Sequence, residues 1–306
     1  MPSLVTVRAS NADFAPHYLP VALFVGGTSG IGRAVAEAFA RYTHGNAHII
    51  ICGRNSAAAE SIIASFPTPT SPDATHEFVH CDVSSIKSVA ATTEALQARL
   101  GRLNFLVLSP GVFTVAGRTE TPEGLDYKLA LHYYGRWKFI YDLIPLLRKA
   151  KSSWEDAKVV TIFGAGKGGP IDLENLGLET RYSFSAVAAA ASTYNDLMVE
   201  SFADTHPDIA FTHVYPGVVR TSYVKAPHWA LSPFFAVASL LKYPISLSPK
   251  TCAEYILWSL LQGDRGAYRR NESGEDIGKA RYFGSEEAKT RLWQHTVREI
   301  DRALES

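Results

Sequence analysis

Gly26, Gly30 and Gly32 stand at G-x-x-x-G-x-G spacing within Gly26-Gly27-Thr28-Ser29-Gly30-Ile31-Gly32-Arg33. The loop directly follows an apolar run, Val21 to Val25, and directly precedes a helical pattern of Ala34, Val35 and Phe39. Glycines in that setting let the chain turn tightly, bring backbone amides against a pyrophosphate, and let helix and strand pack closely. The N–H groups that open the helix then face the phosphates. A glycine trio alone is a weak sign; in the first βα unit of a chain it is a strong one. Gly26, Thr28, Ser29, Gly30, Ile31 and Gly32 are therefore expected to bind a dinucleotide. The next apolar run, His48 to Cys52, ends in Gly53-Arg54-Asn55. NAD-binding folds commonly place a carboxylate there for the ribose 2′-hydroxyl. An arginine suits a 2′-phosphate instead, and Arg33 can join Arg54 in holding it. NADP(H) is the expected cofactor; the plainer reading makes both arginines solvated surface charges.

The elements that must position this loop are legible along the chain. Short β-type runs occur at Ala22–Val25, His48–Cys52, Glu77–Val79, Asn104–Leu108, Lys158–Phe163 and Ala210–Tyr215. Helical patterns lie near 31–43, 56–65, 85–100, 123–149, 182–205 and 249–262. Such alternation, with apolar strands, predicts an α/β fold with a doubly wound parallel sheet covered on both faces. The stretches 67–74 and 151–156 read as loops, too short to link domains, so one domain over 1–306 is expected, with 1–20 as an N-terminal extension. Composition is globular, 46% hydrophobic and 20% charged with a formal net charge of zero, and nothing in it calls for nucleic acid. Cys52, Cys81 and Cys252 give neither metal spacing nor a disulfide framework. They point to a reducing, cytoplasmic setting. No basic region followed by an apolar stretch marks a signal peptide. Residues 228–247 are apolar and aromatic, with Trp229, Phe234, Phe235, Leu240, Leu241 and Tyr243. An insertion over 222–247 reads as a lid over a hydrophobic substrate, with a membrane contact or subunit interface as alternatives. Pro233, Lys242 and Pro244 argue against a spanning helix.

The chain resembles the short-chain dehydrogenase/reductase family, in particular the sub-group similar to retinol dehydrogenases and to the oxidoreductase domain of WW-domain oxidoreductases. The likeness runs from about residue 20 to about residue 300. It is carried by the glycine loop at 26–32, by Cys81-Asp82-Val83, and by Leu108-Ser109-Pro110-Gly111 where the family has N-N-A-G. Pro216-Gly217-Val218-Val219-Arg220-Thr221 carries it further, as do Arg281-Tyr282-Phe283 and Arg291-Leu292-Trp293, which resemble the family's terminal strand and helix. The stretch Thr119 to Leu146 resembles short-chain reductases of filamentous fungi, which hints at secondary metabolism. The resemblance implies a Rossmann-type fold. It adds Asp82, Val83, Ser109, Pro110, Gly111, Pro216, Gly217, Val219 and Thr221 to the cofactor set. It also implies a homodimer by family habit.

The family's carbonyl chemistry uses Asn, Ser, Tyr and Lys, and this chain departs at three of the four. Y-x-x-x-K falls on Tyr182-Ser183-Phe184-Ser185-Ala186, so the tyrosine is kept and the lysine is alanine. V-S-S falls on Ile162-Phe163-Gly164, and the asparagine falls on His132. Without a neighbouring ammonium, Tyr182 is expected to stay protonated at neutral pH and to act as a proton donor rather than a base. Reduction is then the expected direction. His132 shares a helix face with Lys128 and Arg136 and reads as an acid or base, or as a hydrogen-bonded structural histidine. Tyr133 and Tyr134 read as pocket walls or as core. Lys167, in the loop Gly164 to Gly169, and Ser185 are further candidates, each with a solvated or packed alternative. The substrate pocket is expected from Phe163, Gly164, Tyr133 and Trp229, with Gly164 adding room. Two functions follow: an NADP(H)-dependent reductase of a hydrophobic carbonyl compound, or a non-redox enzyme or nucleotide-binding protein on the same fold.

Overall fold

The computed structural model describes residues 2–220 and 246–306. Among them seven strands form one parallel sheet in the order β3-β2-β1-β4-β5-β6-β7. They are β1 Val21–Val25, β2 His48–Gly53, β3 His76–His80, β4 Phe105–Leu108, β5 Lys158–Ile162, β6 Ala210–Val214 and β7 Gly266–Arg270. Strand periodicity feeds two cores at once. Val21, Leu23 and Val25 face one side with Ile50, while Ala22 and Phe24 face the other with Ile49 and Ile51. Helices Gly30–Tyr42, Ser56–Ile63 and Pro249–Leu261 cover the second face. Helices Ile86–Arg99, Gly135–Ser152, Phe184–Thr205 and Glu286–Glu305 cover the first. The order of strands reverses between β1 and β4. That is where such sheets open a crevice beyond their carboxyl ends.

Several elements differ from expectation. Strand β7 has no apolar signature because Arg269 and Arg270 end it. Both are buried: Arg269 pairs with Asp196 at 2.8 Å, and Arg270 lies over the Trp258 ring. Arg281-Tyr282-Phe283, expected as the terminal strand, forms no strand, and β7 takes that place. Arg291, Leu292 and Trp293 do lie in the last helix, Glu286–Glu305. Within the expected extension, helix Leu4–Ala12 docks on helix Pro249–Leu261. There Asn11 Nδ2 donates to the main-chain oxygen of Glu254 at 3.0 Å and to its Oε2 at 3.1 Å. The long helix expected over 123–149 is a short turn Tyr127–Leu129, a π-helical stretch Ala130–Tyr134, and helix Gly135–Ser152. π-Helical stretches recur at functional sites. No helix of the described residues is long and apolar enough to cross a membrane. Trp229, Thr221 and the lid at 222–247, except its last two residues, lie outside the described residues.

Candidate active site

Two adjoining cavities open at the carboxyl ends of the strands. The larger, about 620 Å³, is lined by Thr28, Arg54, Asp82, Val83 and Tyr127, among others. The second, about 390 Å³, is lined by Ile31, Gly32, Ser109, Lys128, His132, Phe163, Val187 and Val219, with Pro216 and Gly217 at one end. Gly26, Ser29, Pro110 and Gly111 belong to both, so the two form one groove. Its floor has the shape a phosphate chain needs. Gly26 has φ +79°, and a Cβ on it would lie 2.9 Å from Pro110 N. A Cβ on Gly32 would lie 2.2 Å from Ser109 Oγ and 2.5 Å from Gly26 O. Helix Gly30–Tyr42 begins at Ser29, whose side chain makes no capping bond, which leaves the first amides to a ligand. These residues fit the pyrophosphate of a dinucleotide.

Arg54 lines the larger cavity and approaches Asp82 Oδ2 at 4.0 Å. Arg33, expected beside it, is elsewhere: its Nε donates to Glu37 Oε1 at 2.7 Å, one helical turn on, and it lines neither cavity.

The second cavity carries the candidate chemistry. Lys128, His132 and Arg136 all reach its wall. The Arg136 guanidinium donates to Thr161 Oγ1 at 2.7 Å and to the carbonyl of Ile162 at 2.9 Å. Thr161 donates to Asn195 Oδ1 at 2.8 Å, and Asn195 Nδ2 donates to the carbonyl of His132 at 2.8 Å. That chain of bonds holds the π-helical stretch in place. His132 is not the acid–base group that its type implied. Its Nε2 accepts the Val112 N–H at 3.0 Å, so the ring proton is assigned to Nδ1. Burial first, then the Arg136 charge, push its pKa down to about 3, and the ring is neutral at pH 7.

Tyr182 is partly buried, and its hydroxyl accepts a hydrogen bond from Lys128 Nζ at 3.0 Å. It is not part of the cavity wall; Lys128 is. Burial, and next the Asp126 carboxylate, raise the Tyr182 pKa, so the phenol is protonated at neutral pH. Lys128 appeared in the sequence only as a helix neighbour of His132. Its reach to a tyrosine 54 residues away leaves no trace in the sequence.

The structure also places the other candidates. Tyr133 is core: its ring packs on Tyr134 and Tyr194, and its hydroxyl shares a hydrogen bond with Thr296 at 2.7 Å. Gly164 adds no room to the cavity, because a Cβ there would point at Ser192 Oγ, 2.3 Å away. Lys167 lies 4.5 Å over the Tyr215 ring, and neither it nor Ser185 enters the wall. Phe163 does enter it, its ring tilted against that of His132 with centroids 4.8 Å apart. Val112, Phe113, Phe184 and Val187 complete an apolar wall that the sequence did not single out.

Fold and groove together define an α/β protein of the doubly wound class, with a glycine-lined groove that fits a dinucleotide and a second, apolar cavity beside it. The sequence pattern of the family described as short chain dehydrogenase matches residues 20–131. An oxidoreductase of Emericella nidulans is 38% identical over 222 residues, which is 72% of this chain and 65% of that protein, just under two thirds of its length. An oxidoreductase of Emericella variicolor is 32% identical over 83% of this chain and 74% of its own length. The polyprenol dehydrogenase of Mus musculus is 27% identical over 95% of this chain and 88% of its own. A short-chain dehydrogenase structure from Streptomyces avermitilis superposes with a TM-score of 0.59 at 21% identity, covering 95% of this chain and 97% of that one. The chain belongs to the short-chain dehydrogenase/reductase family and is an oxidoreductase of that family.

Proposed function

We propose that this protein is an NADP(H)-dependent reductase of a hydrophobic carbonyl compound, with Tyr182 as the source of the proton. One observation carries the reading: a protonated phenol sits one hydrogen bond behind the wall of an apolar cavity, and that cavity is continuous with the glycine-cradled groove. The cofactor, when bound, supplies hydride. The chain supplies the rest. Gly26, Ser29 and Gly32 would cradle the pyrophosphate, Arg54 would hold the 2′-phosphate, and Phe113, Phe163, Phe184 and Val187 would take up apolar substrate. Likeness to a polyprenol dehydrogenase favours an isoprenoid carbonyl. The protein works in the cytoplasm, where its three free cysteines stay reduced, and as a homodimer, the family habit.

Two measurements test this. Calorimetric titration should give tighter binding of NADPH than of NADH, with Arg54→Ala losing about 1.5–3 kcal/mol toward NADPH. Arg33→Ala should change little; equal affinity of the wild type for both nucleotides sinks the cofactor assignment. Oxidation of NADPH should follow addition of farnesal or other apolar aldehydes and ketones. Tyr182→Phe should slow it about 10²- to 10⁴-fold.

A further inference from the structure

Position 186 is alanine, yet an ammonium stands beside Tyr182. It comes from the helical turn Tyr127–Leu129. Asp126 caps that turn: its Oδ1 accepts from Lys128 N at 3.1 Å and from Leu129 N at 2.9 Å. The Lys128 side chain is almost wholly enclosed, the residue being 1% exposed. Its Nζ donates to the carbonyl of Ala116 at 2.6 Å, to Tyr182 Oη at 3.0 Å and to the carbonyl of Gly117 at 3.3 Å. It also lies 5.0 Å from the centre of the Tyr182 ring. A buried ammonium is costly unless its donors are matched, and here three donors meet three acceptors. The bond to Gly117 is the longest of the three. Lys128 forms part of the cavity wall, and Tyr182, which does not, is bonded to it.

We propose that Lys128 is the cavity-facing proton carrier of this site, drawing on Tyr182 behind it and standing in for the lysine absent at position 186. The proposal rests on the reductase reading above. The carbonyl carbon receives hydride from NADPH, which becomes NADP+, and the carbonyl oxygen takes a proton from Lys128 Nζ. The resulting amine regains a proton from the Tyr182 hydroxyl, and the phenolate recovers its own from water. After that transfer the phenolate faces a restored ammonium, so the charge created is met at hydrogen-bond distance.

Fluorine NMR and turnover together test the assignment. Difluorotyrosine in place of tyrosine brings phenol ionisation into the pH range of the folded protein, and the signal missing from Tyr182→Phe reports position 182. In nucleotide-free protein, Lys128→Met should raise that ionisation midpoint by about one to three pH units. Lys128→Arg, which keeps the charge against the opposing Asp126 carboxylate, should leave it at the wild-type value. With NADPH and farnesal or the apolar panel, both variants should lose turnover about 10²-fold or more. A guanidinium keeps its charge but does not release a proton. NADPH affinity should match the wild type in both. An unmoved midpoint in Lys128→Met, or full turnover in Lys128→Arg, overturns the proposal. A wild type that binds NADPH but oxidises it with no member of the panel overturns the reductase reading instead, and the midpoint still decides the Lys128–Tyr182 pair.

Discussion

Burial decides what a titratable side chain can do, and His132 is the clearest case. A histidine on a helix near neutral pH reads as an acid–base group. Enclosed beside Arg136 and accepting the Val112 amide, it is a neutral hydrogen-bond acceptor. Its pKa in the fold, about 3, lies below the 6.5 of a free histidine. Between those values the unfolded chain binds the extra proton, so this stability is fully present above pH 6.5 and is lost as pH falls toward 3. At about 1.4 kcal/mol per pH unit, going from about pH 6.5 to about pH 5 removes about 2 kcal/mol. His132→Asn keeps an acceptor for Val112 without a titrating ring, so it should lose that slope. Urea midpoints at the two pH values check it; an acid slope in the variant equal to that of the wild type contradicts the placement of this ring.

At the scale of elements, strand β7 is held by charge where β1 and β4 are held by apolar side chains. Arg269 Nη2 reaches Asp196 Oδ2 at 2.8 Å, and Asp196 Oδ1 meets His213 Nδ1 at 2.6 Å. His213 Nε2 in turn accepts the Gly164 amide at 3.0 Å, which ties the loop after β5 to the same cluster. Arg269 Nη1 also donates to the carbonyls of Gly278 and Ala280. Arg269→Leu leaves a buried carboxylate with one partner fewer, and should cost about 3–5 kcal/mol. The double variant Arg269→Leu with Asp196→Leu should recover part of that loss. Chemical denaturation of both decides it; a cost under about 1 kcal/mol for the single variant would mean that β7 is held by backbone pairing alone.

At the scale of the molecule, the first helix closes one side of the fold around the carboxylate of Glu254. Glu254, on helix Pro249–Leu261, accepts from Asn11, from Arg41 at 2.8 Å and from Tyr42 at 2.8 Å. Val7 and Asn11 are buried in that contact. Removing residues 1–13 leaves the buried Glu254 short of a partner and uncovers the helix beneath, at a cost of about 1–3 kcal/mol. Thermal unfolding of the shortened chain should therefore begin at lower temperature. An unchanged transition would show that this helix is only laid against the body of the protein.

Strand identity was written in local composition. The β-branched run Ile49-Ile50-Ile51 and the apolar run Val21 to Val25 make strands wherever they fall, because both faces of a parallel sheet are buried. The glycine loop was legible for a related reason: a tight approach of backbone to backbone tolerates no Cβ, and glycine alone meets it. Strand β7 was not legible, since its arginines are buried only because Asp196 and Trp258 arrive from other helices. The same holds for the site. Tyr182 could be named from its neighbours in sequence, but the ammonium beside it could not, because Lys128 is brought there by packing between distant segments. Local sequence determined which segments become strand, loop and helix and where a nucleotide can lie. Tertiary packing decided which side chains are charged, which face the cavity, and which two meet beside it, since burial and contact are properties of the folded whole.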